Sequence, residues 1–476
     1  MRDTDCQHTK PGKFERGASF SGRPNMKQRS YVIACTLVAA LGGLLFGFDT
    51  AVISGAEQTL EAVFGLSEWW HGFTVASALI GTIIGAMTIG KPADILGRRV
   101  ALFILALFYL VSAVGSALAW DWYSFVIFRF IGGLGVGGAS VVSPMYIAEL
   151  SPARLRGRLV AVVQFNIVLG ILLAFFSNYL IAWIELGAVE WRWMFGVEAF
   201  PAAAFLGLLY LVPRSPRWLV AEDLLDEARG VLSRVGTDTG DVDSELDMIR
   251  QSLKAERQAL REPFFRKKYI VPILLAVAIA MFNQLSGINA VMYYAPRIFE
   301  MAGSEENAAL LQAVAVGGTN LVFTVIAMAV IDSFGRKKLM LVGSVGYIIS
   351  LATVAWAFYT YGTDFTDAGA AVVLGGLLVF IASHAIGQGS VIWVFISEIF
   401  PNRVRARGQA LGSFTHWFMA AAISWTFPKI ADISGGHAFA FYCGMMVLQL
   451  VWVLAVMPET KGVPLEKIHE KLGIKE

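Results

Sequence analysis

Charge is what this chain has least of. Asp, Glu, Lys and Arg make up 16% of its 476 residues, against about 25% in soluble domains. Hydrophobic residues make up 56%, and mean hydropathy is +0.62. That balance excludes a soluble globular domain and implies a polytopic, all-α integral membrane protein. Cysteine is scarce too: Cys6, Cys35 and Cys443 lie far apart, the last two in apolar runs. No disulfide framework or metal-ligand spacing follows from them, so no metal and no cofactor is expected, and Cys35 and Cys443 read as small apolar packers. A net charge of +2 points to no nucleic-acid partner. Residues 1–30 are polar and basic, without the apolar stretch of a cleaved signal peptide. They read as a disordered cytoplasmic tail in which Met1 and Met26 are both candidate starts.

What the chain does have is long apolar runs. About 20 such residues span a hydrocarbon core of ~30 Å, and twelve runs qualify: 31–53, 70–90, 100–120, 124–147, 158–182, 194–213, 269–300, 308–331, 338–360, 371–398, 406–430 and 436–457. Alternate loops are rich in cations: Lys91, Arg98 and Arg99; Arg154, Arg156 and Arg158; Arg336, Lys337 and Lys338; Arg403, Arg405 and Arg407. The opposite loops carry Glu57, Glu61, Glu68, Asp121, Glu185, Asp364 and Asp367. The positive-inside rule then places both termini in the cytoplasm. Residues 214–268 break the rhythm with eleven Lys/Arg and eleven Asp/Glu, their apolar residues at helical spacing. They read as amphipathic cytoplasmic helices. The expected organisation is a tail at 1–30, a six-helix bundle at 31–213, the helical linker at 214–268, a second six-helix bundle at 269–457 and a cytoplasmic tail at 458–476.

The two halves echo each other. ADILGRR (93–99) matches IDSFGRK (331–337), and SPMYIAELSPARLRGR (143–158) matches VFISEIFPNRVRARG (394–408). A duplicated unit with a site at the repeat interface is the pattern of alternating-access transporters. Asp49 lies inside the first run, where a carboxylate costs roughly 2.5–3.5 kcal/mol to insert. Such a residue reads as functional and needs a partner; Arg129 is the fixed cation well inside the same half. A purely structural ion pair is the competing reading.

In order along the chain, GFDTAVISGA, GRR (97–99), RFIGGLGVGGASVVSPMYIAELSPARLRGR, PRSPRWL (213–219), QLSGINAVMYYAP (284–296), GRK (335–337), SEIFPNRVRARG and PETKG (458–462) resemble the sugar porter family of the major facilitator superfamily. The resemblance is strongest to bacterial proton-linked monosaccharide symporters and extends to facilitative glucose transporters. It implies twelve transmembrane helices in two pseudo-symmetric bundles in the plasma (inner) membrane. A lipid-embedded monomer would carry a monosaccharide and a proton, the proton as coupling ion, with no enzymatic activity. The facilitative carrier is the first alternative and a non-transporting sugar receptor the second.

A sugar is neutral and covered in hydroxyls, which suits amides that both donate and accept. The resemblance places the sugar ligands at Gln164, Asn283, Gln284, Asn289 and Asn320 and the aromatic lining at Phe46, Tyr293, Trp393 and Trp417. Read by themselves, buried amides equally hold helices together, and the tryptophans equally pack. His416 departs from the family's Gln or Asn, and Arg214 stands where relatives have Glu. The resemblance assigns proton coupling to Asp49 and Arg129. It assigns a cytoplasmic gate to Asp94, Arg98, Arg99, Glu149, Arg158, Asp332, Arg336, Glu398 and Arg407, whose ion pairs would form with the inner mouth shut and break as it opens.

Overall fold

The computed structural model describes residues 26–237, 241–259, 262–463, 465–472 and 474, and no strand occurs among them. Twelve long helices run through it: α1 (Met26–Val52), α2 (Glu68–Thr88), α3 (Arg98–Ala117), α4 (Trp122–Leu150), α5 (Ala153–Trp183), α6 (Gly187–Leu211), α7 (Lys267–Met301), α8 (Glu306–Phe334), α9 (Arg336–Tyr361), α10 (Asp367–Ile399), α11 (Arg405–Ile433) and α12 (Gly435–Ala455). Eleven of them are apolar enough to cross a membrane on composition alone. The twelfth, α11, is equally long at 29 residues. Its first half reads RARGQALGSFTHW, where Arg405 and Arg407 bond carbonyls of the adjoining loops and His416 and Trp417 enter a polar site.

Helices α1–α6 and α7–α12 form two halves. α2 packs along α11 and α5 along α8, which joins them. The apolar core shows where the halves meet. At the end bearing Glu57 and His71 a single cluster spans both halves, with Phe48, Val52 and Phe175 continuous with Val291, Tyr294 and Phe427. At the arginine-rich end the core divides in two, one cluster per half. The protein is therefore sealed at the first end and parted at the second.

Two boundaries differ from the sequence reading. α1 starts at Met26, so residues 26–30 are helical rather than tail, and Gln28 donates to the Ser233 carbonyl at 3.0 Å. Residues 1–25, with Met1 and Cys6, lie outside the described residues. The segment after Val456 is not a free tail either: Glu459 and Thr460 dock on the C-terminal half, and Ile468 of the helix Leu465–Lys471 is buried in its core. Linker helices Pro216–Ala221, Leu225–Val235 and Val242–Ala259 form as expected. Ala228, Val231, Leu232 and Val235 make a buried stripe against the arginine-rich end of the N-terminal half.

Candidate functional site

Asp49 and Arg129 meet. Arg129 of α4 donates from Nη1 to Asp49 Oδ1 at 2.6 Å and from Nη2 to the Asp49 carbonyl at 3.1 Å, and both side chains are at most 2% exposed. The guanidinium also lies 5.4 Å from the centre of the Phe195 ring. α1 comes this close to its neighbours because of its glycines: a Cβ on Gly47 would fall on the Ile167 carbonyl of α5. A second carboxyl, Glu198 of α6, is 1% exposed and interacts electrostatically with both members of the pair. The sequence reading missed it. An apolar run counted from 194 leaves Glu198 near its edge, whereas the span begins at Gly187.

The amides come from a break in α7. Gly287 adopts φ +86° between the segments Ile270–Leu285 and Ile288–Met301, and a Cβ there would run into the Tyr442 ring. The turn brings residues 284 and 289 together: Asn289 Nδ2 donates to Gln284 Oε1 at 2.8 Å, and Gln284 Nε2 donates to Asn283 Oδ1 at 3.0 Å. Gln284 Nε2 also sits 3.2 and 3.3 Å from the two ring nitrogens of His416. That imidazole packs between Trp393 and Trp417, with centroids at 5.2 and 4.7 Å, and Trp417 in turn meets Phe46 of the other half at 5.5 Å. Seven expected ligands thus form one patch. Tyr293 is not in it; it faces Thr50, Asp49 and Arg129 across the interface. Asn320 is buried and accepts from Thr324 within its own helix at 3.4 Å, and Gln164 is half-buried without a side-chain hydrogen bond among the described residues. α10, which supplies Trp393 to the patch, is opened by a π-turn at Ala385–Gly389, beside which His384 meets the Tyr347 hydroxyl at 2.6 Å.

The charges at the arginine-rich end form two copies of one network. Arg98 lies 3.0 Å from Asp94 and from Glu149, and Ser215 donates to Glu149. Arg336 lies 3.2 Å from Asp332 and 2.9 Å from Glu398, and Thr460 donates to Glu398 at 2.6 Å. PRS (213–215) and PET (458–460) are therefore equivalent elements, a repeat the sequence reading did not pair. Glu459 caps α9, accepting from the backbone N–H groups of Arg336 and Lys337 at 3.0 and 3.1 Å. Its counterpart Arg214 cannot cap α3; it turns outward, 3.4 Å from Glu227 with both side chains near 45% exposed.

Among the described residues the ion pairs of Arg98 and Arg336 lie within their own halves and are formed although the apolar core is divided at this end. Arg99 caps α6 through the carbonyls of Leu209 and Tyr210, Arg158 is exposed without an ion pair among the described residues, and Arg407 donates to the Glu262 carbonyl.

The family profile described as "Sugar (and other) transporter" matches residues 35–472. The chain belongs to the sugar porter family. The D-xylose-proton symporter of Escherichia coli K12 is 41% identical over 92% of this chain and 95% of its own length, and the arabinose-proton symporter of Bacillus subtilis 37% identical over 94% and 96%. Among solved structures, the inward-open xylose transporter XylE of E. coli superposes with TM-score 0.82 at 39% identity, covering 93% of this chain and all of its own. XylE bound to 6-bromo-6-deoxy-D-glucose gives TM-score 0.76 at 40% identity, covering 94% and 100%.

This porter carries one more charged cluster, at its sealed end. His71 Nε2 lies 2.6 Å from Glu57 Oε2 and its Nδ1 3.7 Å from Glu61 Oε2. Arg297 of α7 reaches across from the C-terminal half to Glu61 at 2.9 Å, Glu57 at 3.5 Å and Glu68 at 3.6 Å. The grouping of Glu57, Glu61 and His71 was not legible as ligand spacing, and Arg297 already engages its carboxylates. Trp69 and Trp425 close the same seam, with centroids 5.0 Å apart.

Proposed function

We propose that this porter carries a monosaccharide together with a proton, by alternating access, across the plasma (inner) membrane, as a monomer with both termini in the cytoplasm. The observation that carries the reading is the buried Asp49–Arg129 pair, faced by Tyr293 one helical turn from Asn289, beside a patch of amides and aromatics free of fixed charge. Two carboxyls and one guanidinium share one water-poor pocket, and charge balances there when one carboxyl holds a proton. Arg129 Nε and Glu198 Oε1 are both buried without hydrogen-bond partners among the described residues. The guanidinium thus has a second acceptor to turn to when Asp49 takes the proton. Released from Asp49, it frees α1 to move against α4, and Tyr293 carries that change to the amide-bearing break of α7.

Phe46, Asn283, Gln284, Asn289, Trp393, His416 and Trp417 are the proposed sugar contacts. Gln164 on α5 and Asn320 on α8 complete the set, as amides a bound hydroxyl would join. The cation-rich loops support the orientation, and the absence of fixed charge from the patch favours a neutral substrate over an organic anion. The D-xylose and arabinose symporters lend weight to a pentose.

The test is uptake in proteoliposomes. An inward proton gradient should drive uphill accumulation of a radiolabelled pentose or hexose, and Asp49→Asn should abolish accumulation while sugar exchange continues. Undiminished uphill uptake by Asp49→Asn would refute the coupling role, and uptake indifferent to the gradient in the unaltered protein would make it a facilitative carrier.

A further inference from the structure

From the sealed end, we propose that His71, with Glu57 and Glu61, forms a second, exchangeable proton site apart from the amide patch and the Asp49–Arg129 pair, whose occupancy favours opening of the outer mouth. Glu57 and His71 are each 1% exposed. Carboxylate oxygens lie beside both ring nitrogens, 2.6 Å from Nε2 and 3.7 Å from Nδ1, whereas a neutral imidazole offers one N–H only. Both ring nitrogens and Glu57 Oε1 are buried without hydrogen-bond partners among the described residues.

The site is filled differently in the two states of the gate. Here Arg297 supplies a positive charge within 3.6 Å of three carboxylates, all on the N-terminal half with His71. When the halves part, Arg297 leaves with α7, and Glu57, Glu61 and Glu68 keep only His71. A positive charge on the ring is therefore better placed with the mouth open, where Arg297 no longer occupies the carboxylates, than with it shut. By linkage a proton bound there favours the open mouth, so acid outside opens it and alkali shuts it. Other groups around the ring do not reverse the sign. Glu300, which accepts from Gln58 at 2.9 Å, and exposed Asp432 also depart with the C-terminal half, but Asp432 is screened by solvent and neither touches His71. The remaining neighbour is the Tyr294 ring, 6.0 Å away. The inference rests on the alternating-access part of the reading above and is independent of Asp49.

Spin labels at Val63→Cys and Asn307→Cys, exposed on the outer ends of the two halves, measure the opening by double electron–electron resonance. The full-length protein is held in nanodiscs with its native cysteines replaced. On going from pH 8 to pH 5.5, the range in which histidine titrates, the long-distance population should grow severalfold. His71→Gln should flatten that response and Asp49→Asn should keep it. Arg297→Gln should populate the long distance at pH 8 already, which keeps the test valid if His71→Gln does not fold. Distances that ignore pH, a response that survives His71→Gln, or one that disappears with Asp49→Asn would each overturn the proposal, as would unchanged distances in Arg297→Gln.

Discussion

At the scale of single residues, burial decides which substitutions matter. Removing one member of a buried ion pair strands the other, at a cost of about 3–5 kcal/mol. Arg129→Ala should therefore lower the thermal unfolding midpoint far more than Asp49→Asn, which keeps an acceptor for the guanidinium; fluorescence-detected melting of the two variants checks the order. Gln284 is the hub of the amide patch, touching Asn283, Asn289 and His416. At about 0.5–1.5 kcal/mol per hydrogen bond, losing two bonds to sugar hydroxyls in Gln284→Ala should weaken sugar binding about tenfold or more by calorimetry. Asp49 and Arg129 were legible because an acid and a cation in the middle of apolar runs have no bland location. Glu198 and His71 were not, because each sits near the edge of its run, where a polar residue passes as interfacial until the helix bounds are known.

At the scale of the element, breaks carry the site. Helix α7 was legible as one apolar run, and its Ser-Gly step held the information that it is two. The spacing of residues 284 and 289 permitted a shared cavity, but the direct bond between them depends on the φ of Gly287. Gly287→Ala should cost about 1 kcal/mol in backbone strain alone and more from the Tyr442 ring. The expected result is a lower melting midpoint together with lost sugar affinity, where a purely structural defect would leave affinity intact in the folded fraction. The π-turn of α10 had no comparable cue, since no proline marks it; π-turns of this kind often lie at functional sites.

For the whole molecule, duplication is visible in motif and in structure, and so is the place where it fails. Glu459 caps α9, while Arg214 leaves the start of α3 uncapped. An N-terminal cap is worth about 0.5–2 kcal/mol, and the exposed Arg214–Glu227 pair about 0–1 kcal/mol. Arg214→Glu should thus stabilise the N-terminal half and raise the unfolding midpoint by a few degrees, and Glu459→Gln should lower it. Twelve spans and two halves followed from hydropathy and repeats. The state of the molecule did not, because which end is sealed depends on side chains such as Trp425 and Arg297 meeting partners more than 200 residues away.

The second segment of α7, Ile288–Met301, holds Asn289, Tyr293 and Arg297 at steps of four. One touches the amide patch, the next the Asp49 pocket and the third the outer carboxylates. Fourteen residues thus line up three contacts along one short segment, so a few degrees of roll would shift the amide patch, the buried ion pair and the outer seam in a single movement.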